Sequence, residues 1–251
     1  MFNKPTKHWG CKNITIMSSK YLNFKIKDAS NVFFTSDTHF FHDKIIEMAH
    51  RPFSSIEEMN DAIITNWNNK VPKDGIVYHL GDFAWGNKLE QYKELISKLN
   101  GKIILIKGNH DEKNLPNNRE ECLKLFEKIL PQAYGKIEDR YVYLHHYPFL
   151  CYGGTYRNKE DMVYQLFGHI HSGKGQTGLD MPRMNLLFPT QYDVGMDNNN
   201  YTPLSWKEVN EKIKRQIDEN KNMTMWWNWL EWKLINNKKI WRLMILIVPD
   251  V

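Results

Sequence analysis

The sequence predicts an α/β sandwich whose functional residues lie where its strands end. Five short apolar runs are each followed by Asp, Asn or His, and short apolar runs bounded by such residues are typical of buried strands. Stretches with helical spacing separate the first three runs, and the later runs follow as a group of strands, which is the pattern of a layered α/β fold. The five runs cover residues 32–34, 76–78, 103–106, 141–144 and 163–167.

The two ends of the chain are expected to form an N-terminal extension and a C-terminal tail of the main domain. Residues 21–26 alternate apolar and polar side chains, which predicts an edge strand, and Met17 offers a second start that would make residues 1–16 a loose extension. Five of the nine tryptophans lie after residue 221. This tail is expected to pack onto the domain or across a homodimer, with docking on a membrane surface as the alternative. The expected division is an extension at 1–30, the main domain at 31–221 and a tail at 222–251.

Helices and one long loop are predicted between and after the strands. Ser54 and Ser55, followed by Glu57 and Glu58, form a capping pattern at the start of a helix. Residues 172–200 are rich in Gly, Asn, Pro and Met and predict a functional loop with short strands near 184–188 and 191–194. The predicted helices cover 43–50, 54–67, 88–99, 119–130 and 205–220.

Composition and charge are those of an ordinary globular domain. Hydrophobic residues make up 41% of the 251 residues and charged residues 25%, and the net charge of +5 is too small and too dispersed to indicate a dedicated nucleic-acid binder. The three cysteines are odd in number and far apart, so no disulfide framework is expected. No apolar run reaches the ~18 to 20 residues of a transmembrane helix. Without a signal peptide pattern at the start, the expected location is the cytoplasm.

The residues at the strand ends predict a site for two cations. Asp37 and His39 stand two positions apart and are expected to point to the same side of an extended chain, and His169 and His171 repeat this spacing, one for each ion. Asp82 follows a separate strand, where its two oxygens could bridge both ions. Carboxylate, imidazole and the amide oxygen of Asn109 suit divalent ions such as Mn, Fe, Zn or Ni.

A pair of such cations favours the hydrolysis of phosphate esters. Two ions ~3.5–4 Å apart polarise a phosphoryl oxygen, activate a bridging water as hydroxide and stabilise an in-line displacement. His110 follows Asn109 but faces the other way, so it is expected to act as general acid on the leaving oxygen. Asp111 is expected to orient the His110 ring.

These motifs resemble the calcineurin-like metallophosphoesterases, and the resemblance covers residues 31 to 210. The five motifs occur in the family's order, and a set of this kind is far more specific than any one of its members. Further stretches are similar to the small single-domain phosphoesterases of bacteria and their phages. The motifs are Asp37-x-His39, Gly81-Asp82, Gly108-Asn109-His110-Asp111, a strand-end His, and Gly168-His169-x-His171; the further stretches are His79–Phe83, Arg51–Phe53, His146–Pro148 and Val194–Asp197.

The resemblance implies a four-layer α/β/β/α sandwich with two divalent ions, Mn²⁺ first among them and Fe, Zn, Ni or Mg as alternatives. It implies a role as catalytic acid for His110. Phe41 departs from the pattern, which has a glycine there, and its ring is expected to crowd the substrate side of the first metal. The implied ligands are Asp37, His39, Asp82 and His171 for the first metal and Asp82, Asn109, His146 and His169 for the second.

Several residues have more than one interpretation. Either His145 or His146 could be the ligand, and the following Tyr147-Pro148 favours His146. His42 is a candidate substrate contact or a capping or solvated residue at a helix start, and Arg51 is a candidate phosphate contact or the partner of a surface carboxylate. His79 lies within a strand and is expected to be a hydrogen-bonded core residue.

The leading functional prediction is a metal-dependent phosphomonoesterase or phosphodiesterase that acts on a small phosphorylated molecule such as a nucleotide. A nuclease acting on DNA or RNA is the alternative within catalysis, and the basic net charge keeps nucleic acid among the candidate partners. A binding scaffold with an inactive site is the alternative from another class. The complete set of ligands and the presence of His110 argue against that scaffold.

Overall fold

Two five-stranded β-sheets form the centre of the fold. The computed structural model describes residues 22–116, 119–154, 162–173, 175–176, 178 and 180–219, so the extension at 1–16 and the tail at 222–251 lie outside the described residues. The strands are β1 Leu22–Ile26, β2 Val32–Thr35, β3 Ile76–His79, β4 Lys102–Ile106, β5 Lys128–Leu130, β6 Ala133–Ile137, β7 Arg140–Leu144, β8 Tyr164–Phe167, β9 Gln191–Asp193 and β10 Leu204–Ser205. The helices are α1 Lys44–Met48, α2 Ile56–Lys70, α3 Leu89–Lys98, α4 Asp111–Asn114, α5 Arg119–Leu125 and α6 at 206–219, and 3-10 turns cover Met181–Leu186 and Met196–Asn198.

Parallel pairing brings the carboxyl ends of the strands together. The first sheet has the order β1-β6-β7-β8-β9 and the second the order β10-β2-β3-β4-β5. Thr35 pairs with His79 and His79 with Leu105, so the loops after β2, β3 and β4 leave the second sheet at one edge. In the first sheet β7, β8 and β9 are also parallel. A bridge between Ser36 and Gly195 joins the loop after β2 to the loop after β9.

Alternating side chains on the central strands form two cores. Along β2, Phe34 faces the core between the sheets and Phe33 faces the core under the helices. α1, α2, α3 and α5 cover the second sheet, while α6 packs with β8 and β9 of the first through hydrogen bonds of Asn210 and Gln216. The predicted four-layer α/β/β/α sandwich is therefore confirmed. None of the helices among the described residues is long and apolar enough to cross a lipid bilayer.

The element predictions hold for the longer segments and fail for short ones. The predicted edge strand is confirmed at Leu22–Ile26, as are the first three helices and the strand near 191–194, and Ser55 caps α2 by accepting from the Glu58 amide. The helix predicted at 119–130 is wrong beyond Leu125, because residues 128–130 form β5, which pairs with β4. The side chains of β5 alternate: Ile129 points towards the helices and Leu130 points towards the other sheet. The strand expected near 184–188 is wrong as well: a 3-10 turn at Met181–Leu186, with Pro182 in its first turn, occupies most of this stretch.

Candidate metal centre

Left-handed backbone conformations bring the predicted ligands together. Five of the seven have positive φ, a region that residues other than glycine rarely adopt. The side chains two positions apart do converge, as predicted from the sequence. The reason given there, an extended chain, is wrong, because the backbone at these residues is left-handed. Each pair turns inward because both members are left-handed. The φ values are 56° at Asp37, 48° at His39, 57° at Asp82, 70° at His169 and 51° at His171.

Asp37, His39 and His171 form the first of two clusters with the spacing of a metal site. Their candidate ligand atoms all lie within 4.8 Å of one another. The Nε2 atoms of His39 and His171 are 3.3 Å apart, and Nε2 of His171 lies 3.7 Å from Oδ1 of Asp37. Asp37 and His39 are buried, whereas the His171 side chain is 21% exposed, so the cluster is open to solvent on the His171 side only in part.

Asp82, His146 and His169 form the second cluster, also within 4.8 Å. Oδ1 of Asn109 lies 3.0 Å from Nε2 of His146, so the amide oxygen adjoins this cluster. Oδ2 of Asp82 lies 3.4 Å from Nε2 of His146 and 3.7 Å from Nε2 of His39. This single oxygen thus stands between the two clusters, which is the position that a shared ligand requires.

The hydrogen bonds of two histidines fix which ring nitrogen is available to a cation. Nδ1 of His146 lies 2.7 Å from the carbonyl oxygen of Leu80, which can only accept, so Nδ1 carries the proton and the lone pair of the neutral ring is on Nε2. Nδ1 of His171 lies 2.7 Å from Oδ2 of Asp197, with the same consequence. Histidine ligands in metalloproteins have this outward hydrogen bond. The donor set therefore fits two divalent cations held by oxygen and imidazole nitrogen.

Burial and neighbouring charges set the protonation of the cluster. Burial, followed by the influence of His171, keeps the pKa of His39 well below its ordinary value, so this ring is neutral. Burial also works to lower the pKa of His146, but contact with Asp82 and the charges of Asp37 and Asp82 raise it to about 9. A proton on that ring takes the place that a cation would take, so cation binding at this cluster releases a proton.

Arg51 is part of the support of the site and does not contact the substrate side. Its guanidinium is buried and holds both oxygens of Asp197, with two nitrogen-to-oxygen distances of 2.8 Å. It also donates to the carbonyl oxygens of Asp37 and Thr38. Both interpretations from the sequence, a phosphate contact and a surface ion pair, are wrong, because Asp197 is itself buried and the pair lies behind His171.

Asp111 has a different role from the one predicted. Its buried carboxylate accepts from the backbone amides of Asp82, Phe83 and Gly108 at 2.7 to 3.0 Å, and no described hydrogen bond joins it to the His110 ring. Burial, assisted by the charge of Asp82, raises the pKa of Asp111 to about 6. The predicted orientation of His110 is thus wrong, and Asp111 instead ties the loop after β3 to the loop after β4.

His110 and His42 lie at the rim of the clusters. The His110 amide donates to Oδ1 of Asp82 at 2.9 Å, and its partly exposed ring places Nε2 3.9 Å from Oδ2 of Asp82. His42 is buried and stacks on Trp85, so it is not the solvated residue considered from the sequence, and its ring offers little surface to a substrate. Phe41 does not crowd the cluster, because its ring packs against the helix-side core.

Two open interpretations are resolved by position. His146 faces the second cluster, whereas the His145 ring lies on the other side and bonds to the backbone of Tyr147. His79 is a core residue, as predicted: its Nε2 lies 2.9 Å from the Thr38 hydroxyl and its Nδ1 accepts from the Gly81 amide.

Sequence reasoning missed the carboxylates that support the long loop. Asp197 lies behind His171, and buried Asp193 accepts from both the amide and the hydroxyl of Ser172 and from the Gly195 amide. Burial, followed by the charge of Asp37, raises the pKa of Asp193 to about 6. Two signals were available: the loop at 172–200, to which both aspartates belong, was predicted to be functional, and Asp197 ends the stretch Val194–Asp197 that resembles the small phosphoesterases.

Two glycines allow the loops to approach the carboxylates. A Cβ at Gly108 would overlap the Asp82 carboxylate, and a Cβ at Gly168 would overlap the side chains of Ser36 and Asp37. These glycines are therefore required for space next to the clusters.

Comparison with known proteins relates most of the chain to one family. The family model of the calcineurin-like phosphoesterases matches residues 30–202. An uncharacterized protein of Methanocaldococcus jannaschii is 50% identical over 82 residues, which cover 32% of this chain and 47% of that protein, so the chain spans about half the length of this relative. The gene 66 protein of Mycobacterium phage L5 is 29% identical over 164 residues, or 57% of this chain and 78% of that protein. A solved structure of a protein of unknown function from Aquifex aeolicus has a TM-score of 0.53 at 24% identity, covers 72% of this chain and 97% of its own, and is alike in fold.

Proposed function

The chain belongs to the calcineurin-like phosphoesterase family, and on that premise we propose that it hydrolyses a phosphate ester of a small molecule with two divalent cations. The observation that carries the proposal is the position of the Asp82 carboxylate. Its Oδ2 atom adjoins His39 of one cluster and His146 of the other, at 3.7 and 3.4 Å. A site for one ion has no need of an oxygen between two groups of ligands.

The ligand assignment follows the two clusters. Asp82 serves both ions, and the remaining ligands divide by proximity. When bound, the two cations would offset the negative charge of the phosphoryl oxygens and lower the pKa of a water so that it could act as a nucleophile near neutral pH. Mn²⁺ is the first choice because the donors are oxygen and imidazole nitrogen without thiolate, a set that Fe, Zn, Ni and Mg could also use. The proposed ligands are Asp37, His39 and His171 for the first ion and Asn109, His146 and His169 for the second.

His110 is the proposed general acid. Hydrolysis joins a water oxygen to phosphorus and breaks the bond to the leaving oxygen, which needs a proton as it departs. The His110 ring is partly exposed at the edge of the clusters, and its amide is held by Asp82. These contacts support a ring that reaches the leaving oxygen while its backbone stays attached to the shared ligand.

A substrate panel tests the proposal and separates it from a nuclease. The panel is p-nitrophenyl phosphate, bis-p-nitrophenyl phosphate, ribose 5-phosphate, cyclic nucleotides, and single- and double-stranded DNA, each with Mn²⁺ and with a chelator. We expect hydrolysis of small esters that depends on the metal and little cleavage of DNA. Cleavage of DNA at a higher kcat/KM than any small ester would select the nuclease, and no metal-dependent hydrolysis of any substrate would refute an enzymatic role.

A further inference from the structure

Exposed aromatic rings are concentrated at the candidate site. Among the described residues, three Phe, Tyr or Trp side chains are exposed: Trp85 at 39%, Tyr141 at 40% and Tyr147 at 40%. Two of these three touch the site histidines, whereas Tyr141 lies on β7 and stacks on Tyr134. Large rings left in solvent beside a polar site favour a ligand that has flat apolar surface of its own.

Trp85 is held rigidly next to the proposed acid. Its indole stacks on the buried His42 ring with 4.0 Å between centroids and 6° between planes. Its amide donates to the Phe40 carbonyl oxygen at 2.7 Å, which fixes the backbone. The indole centroid lies 5.4 Å from that of His110. A leaving group that takes a proton from His110 would thus pass along the exposed part of the indole.

Tyr147 gives the second cluster an aromatic neighbour as well. Its ring meets His169 edge-on at 4.5 Å between centroids and His146 at 5.1 Å. The site therefore has an exposed ring beside the acid and another beside the second cluster. This arrangement fits a substrate with planar groups attached to the phosphate better than a plain sugar or alkyl phosphate.

We propose that Trp85 stacks on a nucleobase in the leaving group, so that the preferred substrates of the proposed phosphoesterase are nucleotides. The inference rests on the proposed function and narrows its substrate class. Stacking of a base on an aromatic side chain is tolerant of base identity, so purine and pyrimidine nucleotides should both be accepted. His42 acts here as a positioning residue, since it supports the covered face of the indole.

The test compares esters that differ only in the base. Adenosine 5′-monophosphate and ribose 5-phosphate are the monoester pair. A thymidine dinucleotide and the same dinucleotide with an abasic leaving residue are the diester pair. The readout is the selectivity, defined as kcat/KM for the member with the base divided by kcat/KM for the member without it, measured with Mn²⁺ on the full chain. We expect selectivity in the wild type.

Three variants assign that selectivity to the indole. Trp85→Leu should lower it roughly 5- to 150-fold, the range that corresponds to the loss of one base stack. Trp85→Phe keeps a ring and should retain most of it. Tyr141→Ala removes an equally exposed ring away from the site and should leave the selectivity unchanged. Inhibition of ribose 5-phosphate hydrolysis by adenosine, with none by ribose, is a second measurement that needs no variant.

The possible results distinguish failure of the inference about Trp85 from failure of the proposed phosphoesterase function. Hydrolysis of the base-free esters without selectivity in the wild type would leave the proposed function standing and overturn the inference. An equal loss on both members of a pair in Trp85→Leu would assign Trp85 a structural role and also overturn it, as would equal inhibition by adenosine and ribose. If none of the substrates is hydrolysed, both the inference and the proposed function are refuted.

Discussion

The Nδ1 atom of His171 lies 2.7 Å from Oδ2 of Asp197, and this buried carboxylate is in turn held on both oxygens by Arg51. A proposed metal ligand thus has a charged pair behind it. Despite the cost of burial, the charge of Arg51 and the contact with His171 keep the pKa of Asp197 below its ordinary value. The carboxylate therefore stays ionised and holds the ring with Nε2 facing the first cluster.

Replacing Asp197 should weaken one metal site. Asp197→Asn keeps the size of the side chain but removes the charge that orients His171, and such changes behind a ligand cost about 10- to 100-fold in metal affinity. Titration calorimetry with Mn²⁺ should show one weakened site and one unchanged site. Glu208→Gln, which breaks the ion pair with Lys70 away from the centre, is the control and should bind both ions normally. Equal affinity in Asp197→Asn and wild type would contradict the role of the pair.

The shared ligand should matter to both ions. In Asp82→Asn the atom between His39 and His146 becomes neutral, so both sites should weaken and the bound Mn²⁺ should fall from two ions towards none. His171→Ala removes a ligand of the first cluster alone and should leave one ion bound. Metal content after dialysis, measured by mass spectrometry, distinguishes the two variants. Loss of a single ion in Asp82→Asn would show that the oxygen is not shared.

His110 should affect the reaction without affecting the metals. His110→Asn is expected to bind both ions and to lower kcat by roughly 10²- to 10⁴-fold on an alkyl phosphate, which is the usual contribution of a positioned acid. The loss should be smaller with p-nitrophenyl esters, because p-nitrophenolate leaves without a proton. Equal losses on good and poor leaving groups would assign His110 to binding of the phosphate, and loss of metal would make it a ligand.

The absence of a side chain at Gly108 should be necessary for activity, because it leaves room for the Asp82 carboxylate. Gly108→Ala places a methyl group against Asp82, and because the backbone at Gly108 is not left-handed, the effect is steric. A displacement of about 1 Å at a reacting centre costs on the order of 10²-fold in rate, so kcat/KM should fall by about that factor. Gly153→Ala, where a Cβ meets nothing within 4 Å, is the matched control and should be as active as wild type.

Acid should destabilise the fold through His79. The ring donates from Nε2 to Thr38 and accepts from the Gly81 amide at Nδ1, and burial lowers its pKa to about 3. Below pH 6.5 the His79 ring binds a proton in the unfolded chain but stays neutral in the folded chain. The contribution of the neutral ring to the free energy of unfolding is therefore present at neutral pH and is lost as the pH falls from 6.5 towards 3. Between pH 7 and 5 the group should account for about 2 kcal/mol of the loss.

Urea unfolding of chelator-treated protein at pH 7 and pH 5 measures this contribution. His79→Gln should be less stable at pH 7 but should lose about 2 kcal/mol less than wild type on going to pH 5. A pH dependence equal to that of the wild type would mean that the ring is protonated in the folded state.

Sequence reasoning succeeded where the signal was local and failed where it was not. The candidate ligands follow the strand ends that bring them together, and a run such as 103–106 is visible in the sequence without knowledge of the fold. The partnership of Arg51 with Asp197 spans 146 positions and leaves no local pattern. The role of Asp111 depends on two loops being adjacent, and β5 is too short for its alternation to stand out from the end of a helix.

The left-handed backbone at five of the candidate ligands has a consequence for any attempt to engineer this protein. Each such residue costs roughly 1–3 kcal/mol relative to one that adopts the conformation freely. Selection for heat resistance alone, with no demand for activity, would therefore favour glycine at such positions. Directed evolution for a higher melting temperature should therefore include an activity screen in each round, because substitutions that relieve this backbone strain would remove the candidate ligands.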